Sequence, residues 1–377
     1  LISELEKKYQ KVVNDLYKTI EKKEKGKILI SGIFQTIKSF TSGEFSTVAE
    51  NAIVAQGELL STALFTELML ENGFKTVYLA ALDFMKIDGD KAADSYFIRE
   101  NISRILQESE DADYYITQGF ICRNPEGDID NLQRGGSDYT ATLIGAAIDS
   151  EEVEIWTDID GFHNNDPRFV ENTRKIDQLS FDEAAELAYF GAKILHPQTV
   201  LPAKLQNTPV RLKNTMNPSD AGTLISSETS GQGIKAVAAK DGITAIKIRS
   251  YRMLNAYGFL KNIFEIFEFF KTPIDMISTS EVAVSLTIDN TKHLNEIVSE
   301  LKEYGEVEVD TELTIVCIVG HMIAEETGFA SQVFSALREI PIRMISYGGS
   351  RHNISVLVKT ELKKQTLQSL SNNLLNS

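Results

Sequence analysis

Apolar residues recur at helical spacing through the first seventy positions. Leu5, Tyr9, Val12, Leu16 and Ile20 fall on one side of a highly charged segment, which predicts an amphipathic helix ended by Gly26. A second helix fits residues 33–40 and stops at Ser42-Gly43. A third fits residues 48–70 and stops at Asn72-Gly73. Gly57 lies inside the third, where glycine costs about 1 kcal/mol against alanine, so a close approach of other atoms is expected there. The pattern then changes. Residues 76–80, 114–118, 153–156 and 209–213 read as short strands, with helical stretches over 96–106 and 141–148. Residues 123–131 read as a polar loop, and Ser180-Phe-Asp-Glu183 as a capping box opening a helix toward Phe190. Strands alternating with helices predict an α/β domain with a mostly parallel sheet, whose ligands gather at the carboxyl ends of the strands.

Beyond a linker at residues 226–232 the chain repeats itself. Gly258-Phe259 recurs as Gly328-Phe329, Pro273-Ile-Asp-Met-Ile-Ser278 as Pro341-Ile-Arg-Met-Ile-Ser346, and Val284-Ser-Leu286 as Ile354-Ser-Val356. Each copy reads strand, helix, strand, strand, helix, and two such small units are expected to pack together. They serve either as contacts that hold oligomers together or as a small-ligand sensor.

The length of 377 residues allows two or three domains, and the net charge of −16 argues against nucleic-acid or anionic-membrane surfaces. Two distant cysteines, Cys122 and Cys317, fit reduced thiols in a cytoplasmic protein. No signal peptide is visible. No stretch reads as long and apolar enough to span a bilayer, because Leu59–Leu70 is interrupted by Ser61, Thr62, Thr66 and Glu67. The chain begins at Leu1 rather than at methionine, so a segment upstream is expected.

Candidate chemistry centres on residues 132–140. Paired glycines, a Ser137 able to cap a helix, Asp138 in its first turn and Arg134 beside it suit a phosphate or a carboxylate. The same pattern also occurs in an ordinary tight turn. No GxxxxGK[ST] run is present. Phosphoryl transfer needs cations and carboxylates placed around the phosphates, and Arg134, Asp138, Asp158, Asp166, Arg168 and Lys193 are the candidates at strand ends and helix starts. Glu58 reads equally as a solvated glutamate, and Lys193 as a helix C-terminal cation. His196 reads as structural; His163, His293, His321 and His352 are scattered and suggest no metal cluster. Gly231-Gln-Gly-Ile-Lys-Ala236 matches a relaxed dinucleotide fingerprint, discounted because strand-like residues follow it.

Gln56-Gly-Glu-Leu, Gln118-Gly-Phe, Arg134-Gly-Gly-Ser-Asp-Tyr-Thr140, Trp156-Thr-Asp, Asp166-Pro-Arg168 and Phe190-Gly-Ala-Lys-Ile-Leu-His-Pro197 resemble, in this order, the motifs of the aspartokinases. The repeat resembles their tandem ACT domains. The resemblance implies an α/β fold: an amino-acid-kinase-like three-layer sandwich with a mostly parallel central sheet over 1–228, followed by two βαββα ferredoxin-like ACT domains. These are expected over 229–305 and 306–377, with strand 234–239 crossing into the second. It implies MgATP-dependent phosphorylation of the β-carboxylate of L-aspartate to 4-phospho-L-aspartate, the first step toward lysine, threonine and methionine. By the same resemblance Glu58 binds the substrate ammonium, and Arg134, with Gly135, Gly136 and Ser137, its α-carboxylate. Ser137, Asp138 and Lys193 act at the reacting end. Thr157, Asp158, His163, Arg168 and Lys193 contact ATP, with His163 standing where the family often has tyrosine. The resemblance also implies an amino-acid effector at Met253, Phe259, Asp275, Ser278, Thr279, Ser280, Glu281 and Val282. Asp275 and Glu281 favour lysine over threonine there.

A homodimer or tetramer through the ACT domains is expected, without nucleic acid or membrane, and a monofunctional enzyme. The family's early Lys-Phe-Gly-Gly-Thr-Ser segment does not occur in this sequence, so these residues alone are expected not to turn over. The alternative is a non-catalytic amino-acid-binding regulatory protein of the same fold; a glutamate or acetylglutamate kinase fits less well because of the repeat.

Overall fold

The structure, a computed structural model, describes residues 1–41, 45–132, 135–191, 195–228, 233–253, 257–321, 323, 325 and 327–375. Three helices open the chain: α1 (Ile2–Leu16), α2 (Ile20–Thr41) and α3 (Thr47–Glu71). Their apolar stripes share a core of Val13, Tyr17, Ile30, Phe34, Leu60 and Leu64. Gly26, expected to end the first helix, lies instead inside α2. A Cβ there would sit 2.7 Å from Tyr17 Cε2 and 3.0 Å from Val13 Cγ1, so glycine is required by the approach of α1. The break falls at Tyr17, whose backbone is extended and whose hydroxyl donates to Leu64 O at 2.8 Å. The start of α2 is held by Glu71, which accepts the Thr19 N–H at 2.7 Å.

The expectation about membrane-length segments needs correction. At 25 residues, α3 is long and apolar enough to cross a bilayer by length and composition. In this fold Ala49, Ala52, Ala55, Leu60 and Leu64 of α3 are buried. Its Glu67 receives Lys22 and Lys25, each at 2.6 Å. Burial would raise the Glu67 carboxyl, but the two lysines outweigh it and hold it below the usual carboxylate range.

There follow β1 (Thr76–Leu79), α4 (Ser95–Glu108), β2 (Tyr114–Thr117), β3 (Ile121–Arg123), β4 (Ile129–Asn131) and α5 (Gly136–Ala147). Strands β1 and β2 pair in parallel. Strands β3 and β4 form an antiparallel hairpin where a polar loop was expected. Ile121, Cys122 and Ile129 of this hairpin belong to the core that includes Phe84, Met85, Ile98, Ile102 and Leu143.

Next come β5 (Val153–Thr157), β6 (Gln178–Ser180), α6 (Phe181–Tyr189), α7 (Pro197–Gln206), β7 (Val210–Asn214) and β8 (Thr223–Ser226). The sheet order is β5-β7-β8-β6, with β6 and β8 parallel. The chain groups into two units, Leu1–Ile155 with Gln198–Arg211, and Trp156–Pro197 with Leu212–Ser377. Strands β5 and β7 carry the chain from the first unit into the second.

The repeat builds β9 (Gly233–Arg249), α8 (Phe259–Phe269), β10 (Ile277–Thr279), β11 (Ala283–Ile288) and α9 (Leu294–Leu301), then β12 (Glu306–His321), α10 (Phe329–Ala336), β13 (Met344–Tyr347), β14 (Asn353–Lys359) and α11 (Lys363–Leu370). Both copies join one antiparallel sheet in the order β10-β11-β9-β12-β14-β13, with the two long strands in the middle. The first part of β9 pairs only with β12, from Gly233 opposite His321 to Lys240 opposite Ile315; its second part also pairs with β11. Equivalent helices α8 and α10 start from left-handed glycines, Gly258 (φ +82°) and Gly328 (φ +83°). Each copy has its own core, around Ile263 and Leu286 in the first and Val333 and Val356 in the second.

Candidate active site

In the first unit the end of β2 meets the start of α5 at glycine-limited distance. Gln118 is fully buried; its amide donates to Thr62 Oγ1 of α3 at 2.7 Å and its carbonyl accepts the Ala81 N–H at 2.9 Å. A Cβ on Gly119 would sit 2.9 Å from Ser137 Cα, and one on Gly136 would sit 2.8 Å from Phe120 Cδ2. Phe120 itself adopts φ +71°, a left-handed conformation costly for a non-glycine residue. Its N–H donates to Thr140 Oγ1 at 3.0 Å and its carbonyl accepts the Leu132 N–H at 2.8 Å. Phe120 closes the Gln118-Gly-Phe motif, but nothing in the sequence pattern marked its left-handed backbone. The close approach at Gly119 and Gly136 is thus between protein segments.

Ser137 is not the cap. Gly135, at φ +73°, occupies the cap position without a side-chain bond, and Ser137 is the second helical residue. The α5 N-terminus therefore leaves its amides free of a capping side chain, a setting suited to an anion. Asp138 follows in the first turn. Burial pushes its carboxyl up, and it has no hydrogen-bond partner among the described residues. Glu58, half-buried on α3, has no side-chain bond or ion pair among the described residues. Gly57 beside it contacts nothing: a Cβ there would meet no described atom within 4 Å, so the expected close approach is open space instead. Arg134 and Lys193 lie outside the described residues.

In the second unit a cavity of about 450 Å³ is lined by Thr157, Asp158, Asp160, His163, Asn165, Asp166, Arg168, Gly191 and the 237–239 segment of β9. That volume lies in the range of small-molecule sites. Thr157 Oγ1 donates to Asp158 Oδ1 at 3.1 Å. The His163 ring is fixed at both nitrogens, by Asp160 at 2.8 Å and Thr173 at 3.2 Å. Arg168 forms a fork with Asp166, at 2.9 and 2.7 Å. Burial would raise the Asp166 carboxyl, but Arg168 outweighs it and holds it below its ordinary range. The loop is tightened at Gly161 (φ +129°), where a Cβ would fall 2.3 Å from Thr223 Oγ1. The capping box is present, with Ser180 N–H to Glu183 at 2.7 Å and Glu183 N–H to Ser180 Oγ at 3.1 Å. It directs α6 toward Gly191, which borders the cavity at φ +126°.

The effector candidates gather at one end of the first repeat copy, where the Ser250 N–H donates to Val282 O at 2.8 Å and so ties the segment before Met253 to the 278–282 turn. Ser278, Thr279, Ser280 and Glu281 are exposed there. Two candidates are placed differently from expectation. Phe259 is a core residue, packed among Ile263, Leu286 and Leu301. Asp275, expected to meet an effector ammonium, has a side chain only 2% exposed, which already receives Lys240 at 2.7 Å and the Tyr189 hydroxyl at 2.9 Å. Burial first, and then Asp275, push the Tyr189 hydroxyl well up, so it stays a donor. The histidines are less scattered than their sequence positions suggest: the rings of His321 and His352 lie 5.7 Å apart.

The amino acid kinase family matches residues 4–214, and the ACT domain matches residues 316–374. The lysine-sensitive aspartokinase 3 of Escherichia coli is 36% identical over 341 residues, covering 87% of this chain and 76% of its own length. The chain belongs to the aspartokinase family. Aspartokinase III of E. coli, solved in complex with aspartate and ADP, superposes with a TM-score of 0.82 at 33% identity, covering 95% of this chain and 83% of that one. The same enzyme in complex with lysine and aspartate gives a TM-score of 0.76 at 34% identity, covering 93% and 81%. The fold is therefore an amino-acid-kinase domain followed by ACT units, as expected for an aspartokinase-family enzyme.

Proposed function

We propose that the protein transfers the γ-phosphoryl group of MgATP to the β-carboxylate of L-aspartate. The observation that carries this is the α5 N-terminus, which among the described residues has no capping side chain and an unpartnered Asp138 in its first turn, locked by Gly119 in a chain of this family. Free helical amides suit the α-carboxylate, with Arg134 as its cation and Glu58 for the ammonium. The second unit supplies Thr157, Asp158, His163, Arg168 and Lys193 for the nucleotide. Aspartate's β-carboxylate, with a pKa of about 3.9, is an ionised nucleophile at neutral pH, so no general base is needed. Asp138 therefore serves to orient lysines or the magnesium that arrives with ATP rather than to remove a proton.

The ACT region serves as the regulatory part, with domain boundaries at 228/229 and 305/306, β9 extending across both copies, and self-association through the sheet in a cytoplasmic dimer or tetramer. Lysine is the favoured effector. The E. coli relative solved with lysine supports this, and Asp275 would exchange Lys240 for the effector ammonium.

The test is an assay of the full-length protein for ADP release and hydroxylamine-trapped acyl phosphate. Both are expected to require aspartate and ATP, and Glu58→Gln is expected to raise KM for aspartate. Absence of aspartate-dependent product, together with calorimetric binding of lysine, would replace this reading with a non-catalytic amino-acid-binding protein. No heat from lysine or threonine would remove the sensor role.

A further inference from the structure

Residues 164–170, which carry Asp166 and Arg168, are strapped onto the second repeat copy. Asn165 is 3% exposed. Its Oδ1 accepts the Asp166 N–H at 2.8 Å, and its Nδ2 donates to Leu367 O on α11 at 3.2 Å. Four residues on, the centre of the Phe169 ring lies 4.2 Å from Lys363 Nζ, which is itself paired with Asp241 at 2.7 Å. Gln368 Nε2 reaches Phe169 O at 3.3 Å, and Val170 is part of the second copy's core. One buried amide thus grips the loop with one end and α11 with the other. Losing either bond leaves a buried group unsatisfied, which costs more than the bond itself contributes.

We propose that Asn165 is a positioning residue for the nucleotide end of the site. It uses α11 of the second repeat copy as the fixed point that holds Asp166 and Arg168 in their fork. The second copy is then a structural part of the nucleotide site as well as a regulatory attachment. This rests on the nucleotide reading of the second-unit cavity.

The test is titration of the full-length protein with MgADP by calorimetry, paired with steady-state kinetics. Asn165→Ala is expected to weaken MgADP by about tenfold and to raise KM for ATP similarly, with kcat and KM for aspartate unchanged. Asn165→Asp keeps the acceptor for the Asp166 N–H but sets an acceptor against Leu367 O, and is expected to weaken MgADP at least as much. Gln368→Ala, on the exposed side of the same strap, should weaken it by a few-fold and decides the matter if the Asn165 variants do not fold. MgADP binding within twofold of wild type in folded variants overturns the proposal, and so does an equal loss of aspartate affinity, which would mean general loosening. A wild-type protein that binds no MgADP refutes the nucleotide reading itself.

Discussion

Gly119→Ala changes one hydrogen to a methyl group, and its consequence can be worked from the contact it would make. The new Cβ would lie 2.9 Å from Ser137 Cα and 3.0 Å from Ser137 Cβ. Real Cβ atoms reach carbon no closer than about 3.4–4.0 Å in ordinary packing. The α5 N-terminus would therefore have to retreat by roughly half an ångström to one ångström. The backbone Cα cannot rotate out of the way as a side-chain tip could, and Gln118, bonded at both ends, fixes the other side. Overpacking of this kind costs about 1–3 kcal/mol. For a unit of this size that lowers the thermal midpoint by roughly 2–12 °C. The same displacement moves Ser137 and Asp138, and a misplacement near 1 Å can lower turnover by about 100-fold. Differential scanning calorimetry and the coupled ADP-release assay measure the two effects separately. A folded variant with wild-type kcat/KM for aspartate would refute the reasoning, because the helix start would then have yielded without consequence.

Two further predictions concern stability. Gly26→Ala should destabilise by about 1–3 kcal/mol despite alanine's higher helix propensity, because its Cβ would strike Tyr17. Gly32→Ala, in the same helix, where the new Cβ would meet no described neighbour within 4 Å, should stabilise by about 0.5–1 kcal/mol; chemical denaturation of the pair reads the contrast. Asp138→Asn should abolish product formation while raising the thermal midpoint. Burial raises the Asp138 carboxyl above its unfolded value, so its charge opposes folding at pH above the folded value, and that penalty shrinks as pH falls through the folded value and is gone below the unfolded one. The midpoint difference between wild type and Asp138→Asn should accordingly shrink on acidification; a difference that grows instead contradicts the assignment.

Much of the fold was legible because its signals are local. The capping box at Ser180 and Glu183, the paired helix starts at Gly258 and Gly328, and the alternation of strands and helices each depend on residues within a few positions. What misled the reading was glycine. Gly26 looked like a helix stop, Gly57 like a contact, and the Gly135-Gly136 pair like a turn capped by Ser137. A glycine signals only that a side chain is absent, whether for backbone conformation, for packing or for no visible neighbour. The three cases separate only when the surrounding atoms are placed.

The sequence by itself determined the family, the order of motifs and the repeated regulatory unit, since these are written in residue identity and spacing along the chain. The tertiary structure decided the partners. It placed Asp275 on Lys240 and Tyr189 rather than in open solvent. It buried Phe259 in a core, and it fixed Asn165 to a carbonyl 202 positions later in the chain. The physical reason is that burial and pairing depend on distance in space. Hydrogen bonds and ion pairs act over a few ångströms, and no local pattern records which distant residue arrives within that range.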